Sequence, residues 1–168
     1  MSLLEIRKFP DIILKEKTQA VSVFDDELQV LVDDMIETMY AAPGIGLAAN
    51  QIGVPRQIAV IDVGAGDGES NLIVLVNPKI VCKDGVCDSE EGCLSIPEYT
   101  TILKRAEKVT VNYHDRGGNE MQIEADGLMA RALQHEIDHL NGVLIVDRIG
   151  RIKREFFKKR YTRSLADS

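Results

Sequence analysis

His135, Glu136 and His139 are the residues of this 168-residue chain whose types and spacing could do chemistry together. On an α-helix, positions four apart project from the same side, so the two imidazoles can converge on one metal ion. Glu136 follows the first histidine. There its carboxylate can reach a water that the metal activates without itself binding the metal, which is how the His-Glu-x-x-His pattern carries out hydrolysis. The plainer reading of the same five residues is a surface helix with two solvated imidazoles. Two histidines also leave a site incomplete, because catalytic zinc sites use three protein ligands plus a water. Downstream of His139 there is no further histidine, and the acids are Asp147, Glu155 and Asp167. Upstream, Cys93 sits between Gly92 and Leu94. Its thiolate would suit zinc or ferrous iron, and the competing reading is a small buried hydrophobe.

These residues need elements to hold them. Asp126 is a good N-cap ahead of Leu128, Met129, Ala132, Leu133 and Leu140, and Asn141-Gly142 is a strong stop, so the motif lies well inside a helix. A second helix should begin near Asp25, where Leu28, Leu31, Val32, Met35, Ile36 and Met39 recur at helical spacing behind three acids suited to the positive end of the dipole. Pro43 and Gly44 end it and open the small-residue stretch Gly44 to Gly53, which reads as a tight turn. It is no phosphate loop, because the Gly-Lys-Ser/Thr ending is missing. Gln57 to Val63 and Leu72 to Val76 read as strands around a flexible loop at 64–68. Asn77-Pro78 should interrupt the second, with a further strand over Lys79 to Cys82 and a turn at Lys83-Asp84-Gly85. Pro97 argues against a central strand after Cys93. Glu107 to His114 with Glu120 to Ala125 is the clearest hairpin, because Val109, Val111 and Tyr113 alternate with polar residues and Arg116 to Asn119 supplies the turn. His114 at that turn is expected to be a solvated loop residue. A short strand at Val143 to Val146 and a C-terminal helix complete the chain. Without strict βαβ alternation, the class is α+β, with mostly antiparallel sheets around a central metal-binding helix, an N-terminal scaffold helix and a C-terminal helix.

Composition narrows the setting. The length fits one catalytic domain over 1–168, large enough to bury a core without a disulfide. No apolar run approaches the roughly 20 residues that span a bilayer, and Met1 to Lys8 mixes charge into its apolar pattern too early for a secretory signal, so a cytoplasmic protein is expected. Cys82, Cys87 and Cys93 have no framework spacing and read as free thiols or a metal ligand. The net charge of −7 is unevenly spread: residues 148–163 hold eight of the 20 Lys and Arg and one of the 27 acids, so that segment is +7 and the remainder −14. The tail attracts polyanions and the body repels them.

Three blocks in order, Gly44-Ile-Gly-Leu-Ala-Ala-Asn-Gln51, Glu91-Gly-Cys-Leu-Ser95 and Gln134-His-Glu-Ile-Asp-His139, closely resemble the peptide deformylase family, whose members remove the N-terminal formyl group from newly made bacterial proteins. The similarity runs from Phe9-Pro10-Asp11 to about Asp147. The resemblance implies that Cys93, His135 and His139 bind one divalent metal, ferrous iron in the cell, with zinc, nickel or cobalt as substitutes. It also implies that Glu136 is the acid/base and that the Leu94 backbone N–H and the Gln51 amide bind the formyl oxygen. Family members bind their peptide as an added strand, which assigns main-chain contacts to Ile45 and Gly46. Leu128 and Ala132, at i and i+4 before His135, are then candidates for the wall of a methionine slot beside Ile45. Arg131 departs from members that carry an apolar residue there, and is expected at the rim. Thr100 stands where some members carry an arginine. Arg105 can pair with Glu91 and brace the Cys93 loop, the plainer alternative being a surface ion pair of little value.

In the tail, Ile149, Ile152, Phe156 and Leu165 are expected to face the domain and leave Arg151, Arg154, Lys158, Lys159 and Arg163 outward. The basic helix over 148–165 is read either as a solvated packing helix or as a weak ribosome contact, a use that some family members make of theirs. The rival functions are a zinc peptidase using the same two histidines and an inactive metal-binding, ribosome-associated module. Simultaneous presence of Glu136, Gln51 and Cys93 speaks against the second, since a structural site needs no general base.

Overall fold

The computed structural model describes residues 2–64 and 70–166, the side chains of 162 and 164–166 excepted. The expected loop at 64–68 therefore lies largely outside the described residues. Helix α1 (Asp26–Ala41) starts as its acids foretell, with the Asp25 carboxylate accepting from the Leu28 N–H at 3.0 Å. Its apolar stripe of Leu28, Val32, Met35 and Met39 is fully buried.

Among the described residues seven strands follow: β1 (Gly46–Ala48), β2 (Ile58–Asp62), β3 (Leu72–Asp84), β4 (Cys87–Cys93), β5 (Ile96–Arg105), β6 (Lys108–His114) and β7 (Glu120–Asp126). Five of them form one antiparallel sheet in the order β1-β2-β3-β6-β7, and β4-β5 form a separate hairpin. Every residue of β2 is buried because the sheet is covered on both faces. Ile58 and Val60 join Leu47 and Val76 against α1. Ala59 and Ile61, pointing the other way, join Ala48 and Leu75 against Ala130, Leu133, Ile137 and Leu140 of helix α2 (Gly127–Leu140).

Several local expectations give way to tertiary contacts. The stretch Gly44–Gly53 is not a bare turn: it holds β1 and a 3-10 turn at Ala49–Ile52, ending in a left-handed Gly53. Asn77-Pro78 does not end the strand. The register skips between Val76 and Lys79, and Asn77, at φ 52°, uses its side-chain amide to pair with both the N–H and the carbonyl of Val21 at 2.7 and 2.8 Å. A β-bulge thus absorbs the two residues. Pro97 lies at the second position of β5, in a two-stranded ribbon with free edges, where a missing N–H is tolerated. The segment Val143–Val146 forms no strand. The Asp147 carboxylate accepts from the Leu144 N–H at 2.8 Å and curls the chain into a 3-10 turn at Ile145–Asp147. His114 is the last residue of β6 and no solvated loop residue: its ring stands edge-on to Phe24 at 5.8 Å and its Nδ1 is buried.

Helix α3 (Arg151–Ala166) is fastened by a residue outside the expected stripe. Phe157 is 3% exposed, between Phe9, Tyr99 and Tyr161, whereas Ile152 and Phe156 are 74% and 70% exposed. Ile149 is buried as expected, and the Leu165 side chain lies outside those described. The cluster beneath α3, with Leu14, Ile96, Leu103 and Leu144 to Val146, ties the chain's end to the β4-β5 hairpin. No described helix is long and apolar enough to cross a membrane.

Candidate active site

Helix α2 carries the His-Glu-x-x-His segment between two chain reversals. Asp126 occupies the N-cap position, yet its side chain makes no capping bond. Asn141 caps the other end, and Gly142, at φ 76°, turns the chain where a Cβ would fall 2.8 Å from the Lys15 carbonyl carbon. His135, Glu136 and His139 thus sit on the third and fourth turns of a helix anchored by its opposite, apolar face.

The three candidate ligands converge. His135 Nε2 and His139 Nε2 are 3.2 Å apart, His139 Nε2 is 3.3 Å from Cys93 Sγ, and the three donor atoms all lie within 4.8 Å of one another. Metal–nitrogen bonds of about 2.0–2.1 Å at a tetrahedral angle put two nitrogens about 3.3 Å apart, and a thiolate about 3.6 Å from a nitrogen. One sulfur and two imidazoles at these separations fit a divalent cation of intermediate softness. All three cysteines are free; Cys82 is exposed and neither it nor Cys87 belongs to the cluster. Burial works against ionisation of the Cys93 thiol, but the rings of His139 and His135 hold it well below the ordinary thiol value. Burial likewise disfavours a charged His135, and Glu136, Cys93 and Glu91 outweigh it, raising that imidazole well above its ordinary value.

Cys93 is presented by a break in the β4-β5 hairpin. Register slips between Gly92 and Cys93, so that Cys93 pairs with Ile96 and the chain doubles back through Leu94-Ser95. Gly92 suits that break, since a Cβ would meet the Tyr99 carbonyl oxygen at 3.3 Å, closer than an ordinary contact. Arg105 and Glu91 do brace this loop, and the pair is no surface ornament. Arg105 is 4% exposed and donates from Nε and Nη2 to both Glu91 oxygens at 2.8 Å. Such a bidentate, buried pair fixes geometry as well as charge. Glu91 Oε1 lies 2.9 Å from His135 Nδ1. Burial pushes the Glu91 carboxyl up, but Arg105 and His135 hold it well below the usual carboxylate range. As an ionised acceptor it requires a proton on Nδ1, which turns Nε2 toward His139 as the nitrogen that would meet a metal.

Gln51 belongs to the 3-10 turn after β1 and is 2% exposed. Its Oε1 accepts from the Ala48 N–H at 2.9 Å, so its amide protons face the cysteine loop, where Nε2 donates to Ser95 Oγ at 3.1 Å. Glu136 is 4% exposed, and its Oε1 is buried with no hydrogen-bond partner among the described residues. Burial pushes its carboxyl above the ordinary range against the opposing pull of His135 and His139.

These groups open into a cavity of about 590 Å³. Ile45, Gly46, Gln51, Cys93, Leu94, Leu128, Ala132, His135 and Glu136 line it, so the expected substrate residues do meet in one place. Arg131 and Thr100 line it too, as do Ile96, Pro97 and Tyr99 of β5. The Asp62 N–H donates to the Ile45 carbonyl at 2.8 Å, and Gly46 pairs with Ile61, so β1 is held by β2 on one side and is the outer strand of its sheet. An outer strand of this kind is where an extended peptide can add.

Sequence reasoning missed Asp138 and Arg148. Asp138 accepts from Arg105 Nη1 at 2.6 Å and from Arg148 Nε at 2.5 Å. No spacing rule relates these three positions. A buried acid inside the motif helix was the one available hint.

The model of the family described as polypeptide deformylase matches residues 3–155. The chain is 53% identical over 161 residues to the peptide deformylase of Thermodesulfovibrio yellowstonii, covering 96% of this chain and 98% of that one. Among solved structures it resembles a peptide deformylase from Legionella pneumophila, at 44% identity and a TM-score of 0.90 over 99% of both chains. It also resembles the Ehrlichia chaffeensis peptide deformylase in complex with actinonin, at 39% identity and a TM-score of 0.91 over 98% of both.

Proposed function

This chain belongs to the polypeptide deformylase family, and from that membership and the site's geometry we propose that Cys93, His135 and His139 hold its metal, Glu136 carries its proton, and Gln51 and Leu94 bind the formyl oxygen. The enzyme is a metal-dependent hydrolase that removes the formyl group from the N-terminal formyl-methionine of newly synthesised polypeptides and releases formate. A zinc peptidase or an inactive metal-binding module is not favoured by similarity that spans the whole chain.

The bound cation supplies Lewis-acid polarisation and lowers the pKa of water. This chain's residues do the rest. Gly46 and Ile45 offer main-chain partners to the incoming peptide, and Ile45, Leu128 and Ala132 wall the slot for its methionine. Arg131 meets the peptide at the rim. The Gln51 amide, its oxygen committed to Ala48, and the Leu94 N–H donate to the oxygen that gains charge. Glu136, whose carboxyl is raised by burial, takes a proton from the attacking water and returns it to the leaving amine nitrogen.

Ferrous iron is the metal we assign in the cell, with zinc, nickel or cobalt able to substitute in the same donor set. The enzyme works in the cytoplasm as one catalytic unit over residues 1–168, with α2 as its central helix. Helix α3 makes a weak, salt-sensitive contact with the ribosome through phosphates, supported by the exposure of Arg151, Lys153, Lys159, Arg160 and Arg163.

The observation that carries the reading is the convergence of Cys93, His135 and His139 beside a buried Glu136. The deciding experiment is formate release from formyl-Met-Ala-Ser, measured beside cleavage of an unblocked peptide. Cleavage of the unblocked peptide without formate release would refute it. Co-sedimentation with ribosomes at low salt, lost when Lys159, Arg160 and Arg163 become Ala, tests the tail; equal pelleting of both proteins would refute the contact.

A further inference from the structure

A line of charged groups connects the surface beside α3 to the innermost part of the site. Arg148, whose side chain is 40% exposed, grips Asp138 with two hydrogen bonds, Nε to Oδ2 at 2.5 Å and Nη2 to Oδ1 at 2.6 Å. Asp138 Oδ2 also accepts from Arg105 Nη1 at 2.6 Å. The other two faces of the Arg105 fork go to Glu91, and Glu91 meets His135 Nδ1. Exposure falls from 40% for the Arg148 side chain through 12% for Asp138 to 2% for Arg105, and Glu91 and His135 beyond it stay at 9% and 13%.

The arrangement contains two guanidinium cations and two carboxylates, so each carboxylate has one cation's worth of compensation. Without Arg148, two poorly hydrated carboxylates would share Arg105 alone. A buried, unpaired charge is costly, so Asp138 would draw the Arg105 fork toward itself at the expense of Glu91. Glu91 is the carboxylate that sets the proton on His135 Nδ1, and partners of this kind hold a ligand ring in orientation.

We infer that Arg148 is a positioning residue for His135, acting through Asp138, Arg105 and Glu91 so that the end of the catalytic chain governs how firmly the site holds its metal. The inference rests on the reading of Cys93, His135 and His139 as the metal site. It also gives the turn before α3 a task other than packing.

The test uses cobalt(II) as the probe, because its thiolate absorption reports both occupancy and ligand geometry. Wild-type protein, Arg148→Met, Arg148→Lys and Phe157→Ala are loaded with cobalt, and release to a chelator is timed beside thermal unfolding of the metal-free proteins. Arg148→Met is expected to release cobalt about 10-fold faster with an altered spectrum, the effect typical of losing a ligand's hydrogen-bonded partner. Arg148→Lys should restore part of the retention, and Phe157→Ala should release at the wild-type rate despite its lower stability. If Arg148→Met does not fold, Arg148→Gln takes its place. Wild-type release from the Arg148 variant, or equally fast release from Phe157→Ala, would overturn the inference. Failure of the wild-type protein to take up cobalt would overturn the metal reading beneath it, an outcome visible before any variant is compared.

Discussion

Gly46 and Glu136 occupy the same space to within one methyl group: a Cβ on Gly46 would fall 2.9 Å from the Glu136 carboxyl carbon and 3.1 Å from its Cγ. The acid is therefore seated against the backbone of the strand that we assign to the peptide. Gly46→Ala should displace it and lower kcat/KM for formate release by on the order of 10²-fold, the scale of an ångström's misplacement. Metal content should not change. An unaltered rate, measured at matched metal occupancy, would mean that the carboxylate can step aside without consequence.

Proton transfer and metal retention should separate. Glu136→Ala is expected to keep one metal per chain and to lose formate release by about 10²- to 10⁴-fold, the usual range for a general acid/base. Cys93→Ser should weaken retention, whereas Cys82→Ser and Cys87→Ser, outside the cluster, should not. Metal analysis after gel filtration checks both; metal loss in Glu136→Ala, or equal loss in all three cysteine variants, would contradict the assigned roles.

On α3, neighbouring phenylalanines should behave oppositely. Phe157→Ala removes a ring that packs 4.7 Å from Tyr99 and 5.2 Å from Phe9, and should cost about 3–5 kcal/mol. Phe156→Ala, at a position 70% exposed, should stay within about 0.5 kcal/mol. Denaturant unfolding of the two variants reads the difference directly.

Asp62, a buried carboxylate, ends β2 beside the strand that we assign to the peptide. It accepts from Tyr40 Oη at 2.6 Å, Ser70 Oγ at 2.9 Å, and the Asn71 and Gly64 N–H groups at 2.8 and 3.1 Å. Burial would raise its pKa, but these four donors, Tyr40 foremost, bring it below the ordinary aspartate value. A folded-state pKa below the unfolded one, about 3.9, means that the unfolded chain binds the proton more readily in between. The stabilisation from Asp62 is then fully present above about pH 4 and fades as pH falls through the lowered folded value. Asp62→Asn should cost about 1–3 kcal/mol at pH 7 and progressively less below pH 4, because the wild type alone loses this stabilisation. A constant difference across that range in urea titrations would exclude ionised Asp62 as the source.

Much of this enzyme could be read along the chain because its signals are local. The 3.6-residue recurrence from Leu28 to Met39, the alternation of Val109, Val111 and Tyr113, and the Asn141-Gly142 stop each act within one element, and each was matched by α1, by the β6-β7 hairpin and by the end of α2. The spacing of His135, Glu136 and His139, with the Gln51 and Cys93 blocks, likewise identified the family, and the fold brings all five residues to one cavity or its wall. What stayed hidden depended on partners far along the chain. Asn77 continues a strand because Val21, 56 residues earlier, satisfies its amide, and Phe157 is buried in place of Phe156 because Phe9 and Tyr99 come to it. The Arg105–Glu91 pair was foreseen only as an option, and its burial, with Asp138 33 residues on and His135 44 residues from Glu91, came from the packing of a hairpin against a helix. Residue type and spacing determined which groups could do the chemistry. Which carboxylate faces which histidine, and which arginine answers it, was decided by tertiary structure, because a buried charge must find its partner in space and sequence separation places no limit on where that partner lies.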